Sequence, residues 1–173
     1  MTRATRLLAG LALLTGLVAA QAQDRKSEDT RPFDDQEFVK TAASAGMHEV
    51  ELSKLAVTKA RSDEVKKFAQ KMVDDHGKAN EELKAAAKEA SLTVPDKMLD
   101  KHRKHVDEFK EYKGDNFDAD YVKHAVKDHE ESVALFGRAA KEAKNAQVKA
   151  FATKTLPVIK EHLEMARKLQ DRK

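Results

Sequence analysis

The 173-residue sequence contains no cysteine and no tryptophan, and it has only three prolines and six glycines. Without cysteine the chain can form no disulfide, offers no thiol nucleophile and carries no site for a lipid anchor on cysteine. The shortage of helix-breaking residues, together with an aromatic content of 5%, favours helices packed through small and aliphatic side chains. A glycine-rich phosphate loop and a G-x-S-x-G motif are also missing, so no common reaction class is indicated.

Long apolar runs are scarce as well, and the one that exists lies at the N-terminus. Arg3 and Arg6 precede the apolar run Leu7–Val18, and an A-x-A motif follows at residues 20–22. This order is typical of a cleavable signal peptide, and the run is shorter than the roughly 20 residues that span a bilayer as a helix. We therefore predict a signal peptide over residues 1–22, cleavage before Gln23, and a periplasmic or secreted protein.

Beyond the signal peptide, charge is balanced rather than concentrated. Residues 23–32 are polar and aperiodic, which predicts a disordered spacer. Cleavage would remove two arginines and no acid, leaving a net charge of about +1, with lysines and glutamates interspersed along the chain. We therefore expect no nucleic-acid partner. The mature chain is also not expected to be an integral membrane protein, although peripheral contact with the cell envelope stays open.

Residues 33–170 are predicted to form one all-α domain. Caps are predicted at Asp34 with Glu37 three residues later, at Ser62, at Asp115 or Asn116, and at Asn145, and Gly114 is predicted to end the helix before it. These signals predict four long helices and a shorter connector helix, at about residues 35–60, 63–90, 96–112, 117–144 and 146–170.

The two halves of the domain resemble each other. The motif V-K-x-F-A begins at Val65 and again at Val148, and a shift of 83 residues aligns the surrounding positions. The repeat predicts two duplicated helical hairpins, which together form an antiparallel four-helix bundle. The segment between the hairpins, Ser91–Asn116, is long enough to cross the whole bundle but does not have to do so.

One ionisable residue interrupts the apolar seam of each long helix: Glu49, His76, His129 and His162. At a rise of about 1.5 Å per residue all four reach a similar depth in the bundle. They could bind a divalent transition metal ion such as Zn, Fe, Mn or Cu, with the adjacent Asp75 and Asp128 as outer-sphere acceptors or further ligands. Alternatively they form a buried polar layer without metal.

The remaining histidines carry less information on sequence grounds. His102 and His105 lie among basic residues, and His48 and His124 are outside the chosen seams. We expect all four at the surface. Metal binding by the seam residues should weaken as the pH falls through about 6.5, where free imidazole protonates.

Four stretches together resemble the DUF4142 family of exported bacterial proteins: FVKTAASAGMHEVELSKLAVTKA, VKKFAQKMVDDH, FDADYVKHAVKDHEESVALF and FATKTLPVIKEHLEMA. The resemblance implies a ferritin-like bundle and no established activity. No histidine has a glutamate three residues before it, so the Glu-x-x-His pattern of di-iron bundles is missing. The first functional hypothesis is a binding or envelope-stress module. A metal-binding protein with the core site is the alternative, and a redox enzyme comes last.

Overall fold

The computed structural model describes residues 31–172, and this part of the chain contains five helices and no strand. The predicted signal peptide, its cleavage site and most of the spacer lie outside the described residues. The four long helices begin and end within two residues of the predicted positions, whereas the connector helix is shorter than predicted. The helices are α1 (Asp35–Lys59), α2 (Asp63–Glu89), α3 (Asp100–Lys110), α4 (Phe117–Glu142) and α5 (Ala146–Gln170).

Three of the predicted N-caps are confirmed. The side chains of Asp34, Ser62 and Asn145 each accept a hydrogen bond from a backbone N–H in the first turn of their helix. Asn116 precedes α4 but its side chain makes no capping bond. The prediction for Gly114 is wrong, because α3 already ends at Lys110 and no described glycine has a positive φ.

The two hairpins, α1 with α2 and α4 with α5, hold each other's turns in a reciprocal way. Asp35, at the start of α1, accepts the backbone N–H groups of Lys144 and Asn145 in the α4–α5 turn. Asp118, at the start of α4, accepts the corresponding groups of the α1–α2 turn. Adding 83 to the residue numbers of one turn gives the other: Asp35 corresponds to Asp118, and residues 61 and 62 correspond to residues 144 and 145. This equivalence is what the duplicated hairpins predict. The contacts also place each turn beside the start of the other hairpin.

The connector crosses the full length of the bundle. At the start of α1, the Gln36 side chain exchanges two hydrogen bonds with the backbone of Thr93, at 2.8 and 2.9 Å. At the end of α1, Lys59 donates to the carbonyl oxygens of Phe109 and Lys110. The connector with α3 therefore runs alongside α1 from end to end, which is the long crossover of a ferritin-like bundle.

The apolar core falls into two clusters, one toward each end of the bundle, and the predicted polar residues lie between them. On α1, buried Phe38 belongs to one cluster and buried Leu52 to the other, with Glu49 between. The same order holds on α4, where His129 separates Val126 from Phe136. No helix of the described part is both long and apolar enough to cross a membrane.

Candidate metal centres

Three histidines from three helices meet in the polar layer. His76 on α2, His129 on α4 and His162 on α5 each place one ring nitrogen within 4.8 Å of the others. Their ring centroids are 5.3 to 5.5 Å apart. His129 and His162 are only 1% exposed, and His76 is partly buried. We call these three residues the core cluster.

A backbone contact sets the tautomer of His129. Its Nδ1 lies 2.8 Å from the carbonyl oxygen of Ala125, one turn earlier on α4. Because a carbonyl oxygen can only accept, Nδ1 must carry the proton, and the lone pair of His129 is on Nε2. That nitrogen lies 3.3 Å from Nε2 of His76. The backbone therefore aims the coordinating nitrogen of His129 at the other histidines.

A carboxylate sets the tautomer of His162. Its Nε2 donates to Oδ2 of Asp75 at 2.8 Å, and Asp75 also accepts from Lys71 at 2.9 Å. Burial opposes ionisation of Asp75, but the hydrogen bonds from Lys71 and His162 hold its pKa below the usual value. The other nitrogen of His162, Nδ1, is buried without a hydrogen-bond partner among the described residues. A metal ion would satisfy this acceptor, and the carboxylate–histidine arrangement is the usual support for a metal ligand.

Burial keeps the core cluster neutral. It lowers the pKa of His129 to about 4. Burial and the neighbouring His129 and His162 lower the pKa of His76 well below its ordinary value. Burial also lowers the pKa of His162, although its hydrogen bond to Asp75 opposes the change. Neutral imidazole is the form that binds metal, so proton competition in the folded protein begins below the expected pH of about 6.5.

Glu49, the predicted fourth ligand, lies beside the core cluster and not among its ligand atoms. Its Oε1 is 3.8 Å from Nδ1 of His129, the nitrogen already bonded to Ala125. Glu49 is 5% exposed, and burial raises its pKa to about 8. It also lines a small cavity with His76, of about 30 Å³, which is room for one water. At neutral pH Glu49 is therefore largely protonated and is a neutral neighbour of the histidines.

A second group of metal-ligating side chains lies on the outer side of α1 and α4. It consists of His48 on α1, His105 on α3 and Asp128 on α4, whose ligand atoms also lie within 4.8 Å of one another. We call these three residues the cleft cluster. Asp128 was predicted to assist the histidines of the core, but the structure places it here, with Oδ2 3.5 Å from Nδ1 of His48.

The cleft cluster corrects the prediction that the other histidines lie at the surface. His48 is only 3% exposed, and His102, His105 and His124 are half-buried. The reason is the crossover: α3 packs along α1 and covers the face that carries His48. The spacing of Ser44 and His48, four residues apart, could have indicated a second polar face on α1.

Further hydrogen bonds extend the cleft cluster. His48 Nε2 and His105 Nδ1 are 2.8 Å apart, and His105 Nε2 and His124 Nε2 are 3.4 Å apart. His102 bonds to the hydroxyl of Ser44 at 2.6 Å. Burial lowers the pKa of His48 to about 3, and the neighbouring histidines add to the effect. Burial raises the pKa of Asp128 to about 7, and the neighbouring carboxyl groups of Glu49 and Glu131 add to the effect.

A family model described as a domain of unknown function, DUF4142, matches residues 17–169. The chain belongs to the DUF4142 family. The predicted resemblance is thereby confirmed, and with it the ferritin-like helical bundle. No curated protein matches the chain.

Solved structures with the same fold have very different sequences. A DUF305 fragment from Deinococcus radiodurans superposes with a TM-score of 0.69 at 10% identity, covering 83% of this chain and all of its own. CopM in its Cu(II)-bound form gives 0.68 at 16% identity, covering 82% of this chain and 98% of its own. CopM in its Cu(I)-bound form gives 0.66 at 14% identity, covering 80% and 96%. At these identities the similarity concerns the fold alone.

Proposed function

We propose that this DUF4142 protein binds a transition metal ion through the core cluster. The observation that carries the proposal is the buried, unpartnered Nδ1 of His162, whose ring lies beside those of His76 and His129. Asp75 holds the proton of His162 on the far nitrogen, and the carbonyl of Ala125 does so for His129. Two of the three ligands are thus already in a tautomer that leaves one nitrogen free for coordination.

The donor set favours copper or zinc. The chain has no cysteine, and the core cluster supplies imidazole nitrogens, which suit Cu, Zn, Fe and Ni. Among divalent ions a nitrogen site binds Cu²⁺ most tightly. The similarity of fold to CopM, whose structures are named as copper-bound forms, supports copper as the first ion to test. Three imidazoles leave one tetrahedral position for water or another small ligand.

A buried polar layer without metal is the second candidate. It is favoured by the hydrogen bonds that His129 and His162 already make, to Ala125 and Asp75. In that case the domain would be a structural or binding module, and metal would neither bind stoichiometrically nor stabilise it. The unpartnered nitrogen of His162 argues for the metal.

The signal-peptide pattern supports a further part of the proposal, that the protein acts in the periplasm. This part depends on residues 1–22 and on cleavage before Gln23. N-terminal sequencing of the exported protein tests it. A mature chain that begins at Met1 would contradict it.

The metal proposal is tested on tag-free mature protein stripped with chelator and reloaded with Cu²⁺ or Zn²⁺. At a free ion concentration of a hundred times the dissociation constant, stability should rise by about 2.7 kcal/mol, which thermal melts detect. His76→Ala and His162→Ala should lose the ion of the core cluster and its contribution to this gain. His124→Ala, which makes the same chemical change outside the core cluster, should keep both. A protein that retains no stoichiometric metal and shows no shift in melting temperature would refute the proposal.

A further inference from the structure

We propose that the cleft cluster is a second metal site, separate from the core cluster, which binds a divalent ion such as Zn²⁺. Its ligands are His48, His105 and Asp128, from α1, α3 and α4. This site does not depend on the core cluster being filled, because the two clusters share no ligand. Its donor set also differs, since it combines two imidazoles with a carboxylate.

The ligand atoms lie close enough together for a single ion to gather them. Zinc at about 2.0 to 2.1 Å from its nitrogen and oxygen ligands holds neighbouring ligand atoms about 3.3 Å apart in a tetrahedron. In the cleft cluster, His48 Nε2 lies 2.8 Å from His105 Nδ1, whereas the 3.5 Å approach of Asp128 is to the other nitrogen of His48, Nδ1. One ligand atom from each of the three residues nevertheless lies within 4.8 Å of the other two. The His105 and Asp128 side chains are both only half-buried, so they have room to rotate toward one nitrogen of His48.

The surroundings give an ion access and room for water. A cleft of about 180 Å³ opens beside His48 and Asp128, and His102, Lys101 and Glu131 also line it. The side chain of Asp128 is 25% exposed. An ion can therefore enter from solvent and complete its coordination with water, which a three-ligand zinc site requires. Glu131 offsets the positive charge of Lys101 at the mouth.

The position of His105 allows binding at this site to be measured separately from binding in the core cluster. His105 lies on the crossover helix α3, whereas His48 and Asp128 belong to long helices of the bundle. An ion held by all three would tether α3 to α1 and α4. Binding in the core cluster, which draws on α2, α4 and α5, makes no such connection. Hydrogen exchange in α3 therefore reports on the cleft cluster alone.

The test uses Zn²⁺ on the chelator-treated full mature chain, with bound zinc measured by equilibrium dialysis and elemental analysis. With both sites active, the wild type should bind two equivalents, and His105→Ala and His162→Ala should each bind one. His102→Ala, the same change on α3 outside the ligand set, should still bind two. Zinc should slow amide exchange across residues 100–110 in the wild type and in His162→Ala but not in His105→Ala. Asp128→Asn should behave as His105→Ala does. These two variants make it unnecessary to substitute His48, whose burial would make a change there harder to interpret.

The outcomes separate this inference from the proposed function. If the core cluster binds nothing, the wild type should bind one equivalent and lose it in His105→Ala, and the inference stands. If His105→Ala and Asp128→Asn bind as much zinc as the wild type, or zinc leaves exchange in α3 unchanged, the cleft cluster is not a metal site.

Discussion

The core cluster with its neighbour Glu49 and the cleft cluster occupy adjacent positions on α1 and α4, yet they are different environments. On α1, His48 belongs to the cleft cluster and Glu49 lies beside the core cluster; on α4, Asp128 and His129 divide in the same way. Successive residues of a helix point about 100° apart. One residue of each pair therefore faces the bundle seam and the other faces α3.

The comparison shows how a symmetric scaffold carries asymmetric sites. The turn contacts of Asp35 and Asp118 repeat after 83 residues, but the histidines do not. The position equivalent to His129 in the first hairpin is Gly46, and the position equivalent to His162 is Ala79. Duplication thus accounts for the bundle, whereas the candidate ligands occur in one copy only.

In the metal-free protein, the largest difference between the two clusters should be in how the free energy of unfolding changes at alkaline pH. The folded-state pKa of Glu49, about 8, lies above its ordinary value of 4.5. The stability associated with neutral Glu49 is therefore complete below pH 4.5 and is lost as the pH rises through 8. The loss is on the order of 5 kcal/mol. Glu49→Gln should remove most of this pH dependence in urea unfolding between pH 5 and 9.

Asp128→Asn is the matched comparison, because burial raises the pKa of Asp128 too, to about 7. Its effect should be smaller, since water screens a side chain that is 25% exposed. If the free energy of unfolding changes with pH equally in the wild type and in Glu49→Gln, Glu49 is ionised in the folded protein at neutral pH.

Acid should destabilise the metal-free protein through the core histidines. The pKa of His129 is lowered to about 4 from an ordinary value of 6.5, so below pH 6.5 the unfolded chain binds a proton that the folded chain does not. The free energy of unfolding should fall by on the order of 3 kcal/mol from this residue between pH 6.5 and 4. His129→Gln should flatten this dependence, and bound metal should move acid unfolding to lower pH. Unfolding curves at pH 7, 5.5 and 4 measure both effects.

A smaller effect is expected from Asp75, which supports the core cluster without belonging to it. Asp75→Asn removes the carboxylate that accepts from His162 and should weaken metal binding by about 10- to 100-fold. Asp74→Asn is the control, because Asp74 is an exposed neighbour on α2 that accepts a hydrogen bond from Gln70 and makes none to His162. Competition titrations with a chromophoric chelator measure both affinities. Equal affinities for the two variants would show that Asp75 does not act through His162.

Local sequence signals were sufficient to predict the bundle and three of its candidate ligands. Caps and seam spacing are local, and residues at the same height in a bundle meet, which is why His76, His129 and His162 come together. The cleft cluster could not be predicted in this way, because it depends on where the connector packs. That path is set by contacts distant in sequence, such as Gln36 with Thr93.

Residue spacing also does not predict which atoms the side chains of the polar layer contact. Glu49 was placed correctly in depth, but spacing gives no information on which edge of the His129 ring it meets. Asp128 was assigned to the histidine next to it in sequence, although the helix rotation between adjacent residues directs it to His48.

The most direct test of the central claim is X-ray absorption at the metal edge, which counts imidazole ligands. The sample is the His105→Ala protein loaded with one equivalent of Cu²⁺ or Zn²⁺, so that the cleft cluster does not compete. The structure predicts three imidazole nitrogens at about 2.0 Å, and adding His162→Ala should abolish this signal. A spectrum dominated by oxygen ligands, with at most one imidazole, would contradict the account.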